Sequence, residues 1–108
     1  MAAATLTADE LAVALSGFPG WAVSDSRLCK RYTTVSFVAA LDLVNRVGRL
    51  AEAAGHHPDI TITYNRVTFA LVTHDAGGIT AKDVDLAAQI EAAARCAIAA
   101  GGPSPRCG

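Results

Sequence analysis

The sequence predicts an α+β fold in which a four-stranded antiparallel sheet carries its helices on one face. Two observations favour this class. Two pairs of strand-like segments are each joined by a short turn, and such hairpins build antiparallel sheets. Amphipathic helical segments precede, separate and follow these pairs, which gives the order α-β-β-α-β-β-α. The apolar faces of these helices must be buried against the sheet.

The first helix begins with a complete capping signal. Thr7 is a favourable N-cap, and Glu10 follows three residues later, which is the pattern of a capping box. Gly17 ends the helix. Residues 21–23 are interpreted as a short strand, and residues 28–35, rich in β-branched side chains, as its hairpin partner.

The second helix is predicted to begin after Ser36 and to end at Gly55, a typical C-terminal residue. Its predicted apolar stripe recurs at helical spacing and consists of Phe37, Leu41, Val44, Gly48 and Ala51, with Ala40, Val47 and Ala54 beside it. Alternating residues over 59–64 and 67–74 predict the second hairpin, with Asn65-Arg66 as its turn.

The third helix follows the strand break at Gly77-Gly78. Thr80 is its predicted N-cap, and Asp83 occupies the N3 position, where a carboxylate can accept a hydrogen bond from the N-cap backbone. Gly101-Gly102-Pro103 should end this helix.

Composition limits the classes of function. Of the 108 residues, 52% are hydrophobic and 18% are charged, which predicts one folded domain over residues 6–100 with flexible termini at 1–5 and 101–108. The net charge of −1 offers no basic excess for nucleic acid. No apolar run approaches the length of a membrane span. The three cysteines form no paired motif, so we expect reduced thiols in a cytoplasmic protein.

The three histidines are the candidate catalytic or metal-binding residues. Pro58 restrains the preceding His57 toward an extended conformation, next to His56 in the loop after the second helix. His74 is predicted at the far end of the second hairpin, where one strand ends beside the start of its partner. We therefore expect all three imidazoles at one sheet edge, where they could serve as general acids and bases or bind a metal. The alternative is that they are solvated surface residues.

The spacing of these residues carries a resemblance to a known family. The pattern Glu52-x3-His56-His57-Pro58-x5-Tyr64-x9-His74-x8-Asp83 resembles the signature of the pterin-4a-carbinolamine dehydratases. Further segments are similar at matching intervals: Gly20-Trp21, Tyr64-Asn65-x-Val67, Thr73-His74 and Gly78-Ile79-Thr80-x-x-Asp83. The resemblance covers about residues 6–99 and agrees with the predicted order of elements.

The resemblance implies an activity. Members of the family dehydrate 4a-hydroxytetrahydropterin to the quinonoid dihydropterin, and thereby recycle the cofactor of the aromatic amino-acid hydroxylases. One imidazole among His56, His57 and His74 would protonate the leaving oxygen while another accepts the N5 proton. This chemistry requires no metal and no other cofactor. The resemblance also implies a homodimer or a dimer-of-dimers tetramer, with a pterin as the substrate.

The resemblance further implies a set of substrate-binding positions, namely Glu52, Gly55, Pro58, Thr73, Asp75 and Asp83. Glu52 fits a solvated helix face equally well, and the capping pattern alone explains Asp83. Trp21 and Tyr64 are interpreted first as core residues. Ile60 departs from the family, in which an aromatic residue is common at this position, and offers no ring face on which a pterin could stack.

The sequence is compatible with two other functions. The same fold could serve as a non-enzymatic partner-binding or assembly protein, although a pure scaffold has no need for the three histidines. A small metal-binding protein is the third interpretation. It is the weakest, because no thiol joins the histidines and the nearby carboxylates fit no closed structural site. The sequence does not indicate which histidine is the acid and which is the base.

Overall fold

The structure, a computed structural model, describes residues 4–17 and 20–100, with side chains described up to residue 95. Its helices are Ala8–Ala14 (α1), Phe37–Ala54 (α2) and Ala81–Ala100 (α3). Its strands are Ala22–Ser24 (β1), Arg27–Thr33 (β2), Asp59–Thr63 (β3) and Arg66–Leu71 (β4). They form one antiparallel sheet in the order β1-β2-β4-β3. The predicted order of elements is confirmed. Of the predicted tails at 1–5 and 101–108, residues 1–3 and 101–108 lie outside the described residues, and Thr5 forms an isolated bridge with Thr80.

One face of the sheet is buried and the other is open. Alternate residues of the central strand β4 point into the core and are fully buried, namely Val67, Phe69 and Leu71. The helices α2 and α3 lie against this face and against each other. They contribute the buried residues Leu43, Val47, Leu86 and Ile90. The predicted placement of the helices on one face is therefore confirmed.

The helix α2 buries a face that is rotated from the predicted stripe toward the apolar residues beside it. Its buried residues are Ala40, Leu43, Val47 and Ala51. Ala51 belongs to the predicted stripe, and Ala40 and Val47 belong to the residues predicted beside it, whereas Leu43 was not predicted. Phe37 and Leu41 are 46% and 37% exposed, and their predicted inward position is wrong. Apolar residues occupy most of the circumference of α2, so the helical period alone could not select the face that the sheet covers.

The turn of the second hairpin lies one residue earlier than predicted. It consists of Tyr64 and Asn65, because Arg66 already pairs with both neighbouring strands. Tyr64 has a φ of 51° and is 67% exposed, so its predicted place in the sheet core is wrong. The Thr34 N–H donates to the Asn65 carbonyl at 2.7 Å, and the Asn65 side chain donates to the Thr34 carbonyl at 2.9 Å. These bonds end β2 at Thr33 rather than at the predicted residue 35.

The strand β4 ends before the predicted position of His74. Thr73 forms an isolated bridge with Gly78, and its carbonyl accepts the N–H groups of Ala76 and Gly77 at 3.1 and 3.0 Å. Gly77 has a φ of 74°, a conformation that favours glycine. His74 therefore lies in a single 3₁₀ turn, His74–Ala76, and its predicted position at a strand end is wrong.

A polar cluster joins β2 to α3 within the core. The Glu91 carboxylate accepts hydrogen bonds from Lys30 Nζ at 2.9 Å, from Trp21 Nε1 at 3.3 Å and from the Tyr32 hydroxyl. Burial, together with the nearby Glu91, raises the pKa of Tyr32. Burial alone would raise the pKa of Glu91, but the hydrogen bonds from Tyr32 and Lys30 outweigh it and hold that pKa below its usual range. Trp21 is 6% exposed, which confirms it as a core residue.

Candidate active site

The end of α2 positions the first two histidines. Gly55 adopts a left-handed conformation, with φ 64° and ψ 29°. Its N–H donates to the Glu52 carbonyl at 3.2 Å, and the His56 N–H donates to the Ala51 carbonyl at 3.1 Å. This pair of bonds is a Schellman motif, which ends a helix with a defined change of direction. His56 and His57 therefore leave the helix from a backbone that hydrogen bonds hold in place.

His56 is held by a buried carboxylate. Its Nε2 lies 2.5 Å from Asp83 Oδ1, and the two side chains are 14% and 0% exposed. A carboxylate can only accept a hydrogen bond, so Nε2 carries the hydrogen and Nδ1 is left to exchange a proton with another molecule. A carboxylate that fixes the tautomer and the orientation of an imidazole is a recurrent feature of acid–base sites.

The second oxygen of Asp83 organises the start of α3. Asp83 Oδ2 accepts the Thr80 N–H at 2.8 Å and the Thr73 hydroxyl at 2.9 Å. The Thr73 and Thr80 hydroxyl oxygens lie 2.7 Å apart. The capping role that the sequence predicts for Asp83 is confirmed, and the same carboxylate also contacts His56. The substrate-binding position that the resemblance implies for Asp83 stays a prediction.

His57 has a weaker partner. Its Nε2 lies 2.6 Å from Glu52 Oε1, but the His57 and Glu52 side chains are 61% and 79% exposed. Water and salt screen such a pair, and side-chain entropy opposes it, so its contribution to stability is small. Glu52 nevertheless gives the His57 ring a preferred direction.

All three histidines line one cavity. It has a volume of about 300 Å³, and its lining residues are Gly55, His56, His57, Val72, Thr73, His74, Asp75 and Lys82. Of the other predicted positions, Asp83 lies behind His56 and Glu52 holds His57. Pro58 follows the two histidines and does not line the cavity.

Two cavity residues were missed by the sequence reasoning, Val72 and Lys82. Lys82 immediately precedes Asp83 in the first turn of α3. Its position next to a predicted site residue is the signal that could have indicated it. Nothing in the spacing of Val72 distinguishes it from a strand residue. Ile60, the departure from the family pattern, is partly buried against the core and is not among the residues that line the cavity.

The described residues offer no obvious metal centre. No group of three or more His, Cys, Asp or Glu side chains within residues 4–17 and 20–95 is arranged to hold a metal ion. The cavity instead collects imidazoles beside hydroxyl, carboxylate and ammonium groups. The arrangement is suited to moving protons to and from a small polar ligand.

The fold and the cavity together define a small α+β protein with a cavity that three histidines line. The family model described as pterin 4 alpha carbinolamine dehydratase matches residues 4–93. The chain therefore belongs to the pterin-4a-carbinolamine dehydratase family, a family of hydro-lyases. The resemblance seen in the sequence is confirmed.

Individual relatives are similar over most of their length. A protein of Picosynechococcus sp. named "Putative pterin-4-alpha-carbinolamine dehydratase" is 51% identical over 85 residues, which are 79% of this chain and 92% of that protein. A protein of Acidobacterium capsulatum with the same name is 52% identical over 89 residues, which are 82% of this chain and 97% of that protein.

Solved structures share the fold. The crystal structure of a transcriptional coactivator/pterin dehydratase from Brucella melitensis superposes with a TM-score of 0.79 at 30% identity, over 83% of this chain and 98% of that chain. A pterin dehydratase-like protein described as a RuBisCO assembly factor in the alpha-carboxysome gives a TM-score of 0.60 at 22% identity, over 71% and 92%. The second likeness shows the fold alone. No helix in the described part of this chain is long and apolar enough to cross a membrane.

Proposed function

We propose that this protein dehydrates 4a-hydroxytetrahydropterin to the quinonoid dihydropterin and water, by histidine acid–base catalysis, in the recycling of a pterin cofactor. The observation that carries the proposal is the cavity that three imidazoles line, one of them backed by a buried carboxylate. Membership of the family supports the substrate class. The catalytic groups are His56, His57 and His74.

The reaction requires two proton transfers. The C4a–O bond breaks, a double bond forms between N5 and C4a, and the proton on N5 must be removed. One imidazole in its protonated form gives a proton to the departing oxygen, which leaves as water. A second, neutral imidazole accepts the N5 proton. The nitrogen lone pair drives the expulsion, so the chain's own side chains supply all the chemistry that the step needs.

The other cavity residues suit a flat, polar heterocycle. Asp75 is exposed at the mouth and can accept hydrogen bonds from the ring N–H and amino groups of a pterin. Thr73 and the Gly55 backbone form neighbouring parts of the wall. Lys82 adds a positive charge that can contact the pterin carbonyl. We include Glu52 and Pro58 as supports of His57 and Asp83 as the support of His56.

The test is a direct assay of dehydration. Wild-type protein should accelerate formation of the quinonoid product above buffer, and His56→Ala and His74→Ala should each lower kcat about a hundredfold or more. Arg49→Ala, on the exposed side of α2, is the control and should keep the wild-type rate. A folded wild type no faster than buffer would sink the enzymatic proposal. Full activity in both histidine variants would sink the site assignment alone.

We also propose that the protein is a symmetric oligomer, a homodimer or a dimer of dimers. The start of α2 and Val35, two residues before it, present large apolar side chains to solvent, with Val35 66%, Val38 64% and Phe37 46% exposed. Apolar clusters of this kind are typical of association surfaces. The expected cytoplasmic location stays a prediction.

The same apolar residues suit the alternative function, a partner-binding or assembly protein. A surface on α2 could bind another protein as well as a second copy of this chain. The assay separates the two functions, because an assembly protein has no need for the imidazoles. An inactive wild type whose α2 surface nevertheless binds a protein partner would favour this alternative.

A further inference from the structure

Positive charge is concentrated on the open face of the sheet, away from the histidines. Arg31 on β2 and Arg66 on β4 are diagonal neighbours, because Arg31 pairs with Thr68 while Arg66 pairs with Thr33. Both arginines are exposed. Neither guanidinium has a hydrogen-bond or ion-pair partner among the residues that the structure describes. Like charges so close on one face repel each other, and an anion between them would remove that repulsion.

Three threonine hydroxyls complete the same patch. Thr61 on β3 lies opposite Thr68 on β4, and Thr63 lies opposite Arg66. The patch forms a cavity of about 190 Å³, and its lining residues are Arg31, Thr61, Thr63, Arg66 and Thr68. Guanidinium groups bind phosphate through paired N–H bonds, and hydroxyls add further donors.

A third arginine on this face, Arg27, has an acidic partner within the described part of the chain, unlike Arg31 and Arg66. Arg27 contacts Asp59 at 2.5 Å. Ala70 of the central strand pairs with Asp59 and has a short side chain, which leaves room for this ion pair across β4. The charge of Arg27 is thus neutralised within the chain, whereas the charges of Arg31 and Arg66 are not.

We propose that Arg31, Arg66 and the three threonines bind the phosphate group of a small phosphorylated molecule. The cavity, at about 190 Å³, is large enough for one such group. The chain carries a net charge of −1, so it has no general positive surface for a long polyanion. Thr68 and Val72 are four residues apart along the chain, as are His57 and Thr61, so the two cavities are about 13 Å apart at the usual rise of a strand. Phosphate binding at the arginines is independent of the dehydratase proposal.

The experiment is an NMR titration of the full chain at constant ionic strength. Inorganic phosphate and glycerol 3-phosphate are the probes, at a pH of about 7.5, where a phosphomonoester carries nearly two charges. Both should shift the amide signals of the five cavity residues saturably. Tighter binding of glycerol 3-phosphate would identify a phosphomonoester as the ligand, and tighter binding of inorganic phosphate would identify the free ion. Acetate should bind at least tenfold more weakly than either.

Matched variants decide whether the arginines form a site. Arg31→Gln and Arg66→Gln should each weaken phosphate binding about tenfold or more, the usual effect of losing hydrogen bonds to a charged group. Arg49→Gln removes the same charge from α2 and should leave binding unchanged. Shifts that do not saturate, equal binding of acetate, or equal weakening in the Arg49 control would each overturn the proposal. The dehydration rate, measured on the same samples, should stay at the wild-type value in all three variants.

Discussion

At the scale of single residues, Asp83 carries the largest share of the site's geometry. Its two oxygens contact His56, Thr73 and Thr80, which belong to three separate segments. The side chain is fully buried, so water cannot replace a contact that is lost. A buried acceptor that loses its partners costs about 1–3 kcal/mol.

We predict that Asp83→Asn impairs catalysis and stability together. An amide oxygen can still accept the Thr80 N–H, but the amide N–H₂ cannot accept a hydrogen bond from His56 Nε2. We expect kcat to fall at least tenfold and the free energy of unfolding to fall by about 1–3 kcal/mol. The pH dependence of kcat should also change shape, which loss of stability alone would not produce. Steady-state rates measured across pH and urea unfolding are the measurements.

Glu52→Gln is the matched control for this change. It removes a carboxylate from the other histidine, but from an exposed pair in which solvent screening is strong. The effect on stability should therefore be close to zero, and kcat should fall by only a few fold. An Asp83→Asn variant with wild-type kcat and an unchanged pH profile would show that Asp83 is a cap and does not position His56.

Sequence reasoning found the candidate histidines because residue type and spacing report on chemistry directly. It left the role of Asp83 open between a helix cap and a substrate-binding position, and it did not predict the contact with His56, because that contact joins segments 27 residues apart. It missed Lys82, whose place in the cavity depends on how α3 is rotated against the end of α2. That rotation follows from packing between segments that are distant in the chain.

At the scale of elements, the Glu91 cluster is the main polar connection between the sheet and α3. Lys30 and Glu91 are 16% and 14% exposed, and three donors converge on one carboxylate. Breaking a largely buried pair by removing one charge leaves the other uncompensated, which is more costly than breaking a surface pair. The docking of α3 on β2 should therefore depend on the ionisation of Glu91.

We predict an acid-sensitive stability that Glu91 controls. The folded state holds the pKa of Glu91 below its usual range. The contribution of Glu91 to the free energy of unfolding is therefore complete above its unfolded pKa of about 4.3. It is lost as pH falls through the lower pKa of the folded state. Glu91→Gln should lower the free energy of unfolding at pH 7 by about 2 kcal/mol. The variant should also lose less further stability in acid than the wild type does.

Urea unfolding of both proteins, from neutral pH down to about pH 3, checks this prediction. Glu10→Gln changes another carboxylate to an amide, in the exposed capping box of α1, and is the control. Parallel losses of stability with pH in wild type and Glu91→Gln would contradict the assignment to Glu91.

The predicted boundaries are accurate where residues nearby in the sequence determine them. The Thr7 capping box, the Ser36 cap and the Gly55 helix end are confirmed, because each depends on residues within a few positions. The strand ends were less accurate. The end of β2 depends on bonds from Thr34 to Asn65, more than thirty residues away. No local pattern contains such a bond.

At the scale of the whole molecule, α2 exposes large apolar side chains that nothing in the described part of the single chain covers. The sheet and α3 cover only part of the apolar surface of α2, so Phe37, Val38 and Leu41 remain in contact with water. Burying side chains of this size against another surface is worth about 1.5–3 kcal/mol each. This energy favours self-association.

We predict that size measurement finds an oligomer and that a charge on α2 dissociates it. Light scattering should give a multiple of the 11.1 kDa chain mass. Phe37→Glu should shift the mass toward the monomer, since the exposed position tolerates the charge in the folded chain but not in an interface. Ala53→Glu, also exposed on α2 near its other end, is the control and should leave the mass unchanged. A wild type of about 11 kDa at working concentrations would overturn the oligomer proposal.

The contact between His56 and Asp83 spans 27 residues of sequence, and the second hairpin lies entirely between them. The proposed catalytic geometry cannot exist until that hairpin has formed and α3 has docked beside the end of α2. Recovery of enzymatic activity therefore reports on the last stage of folding. In a refolding experiment, helical circular dichroism should recover first, because it needs only local bonds, and turnover should recover only when the two ends of this loop have met.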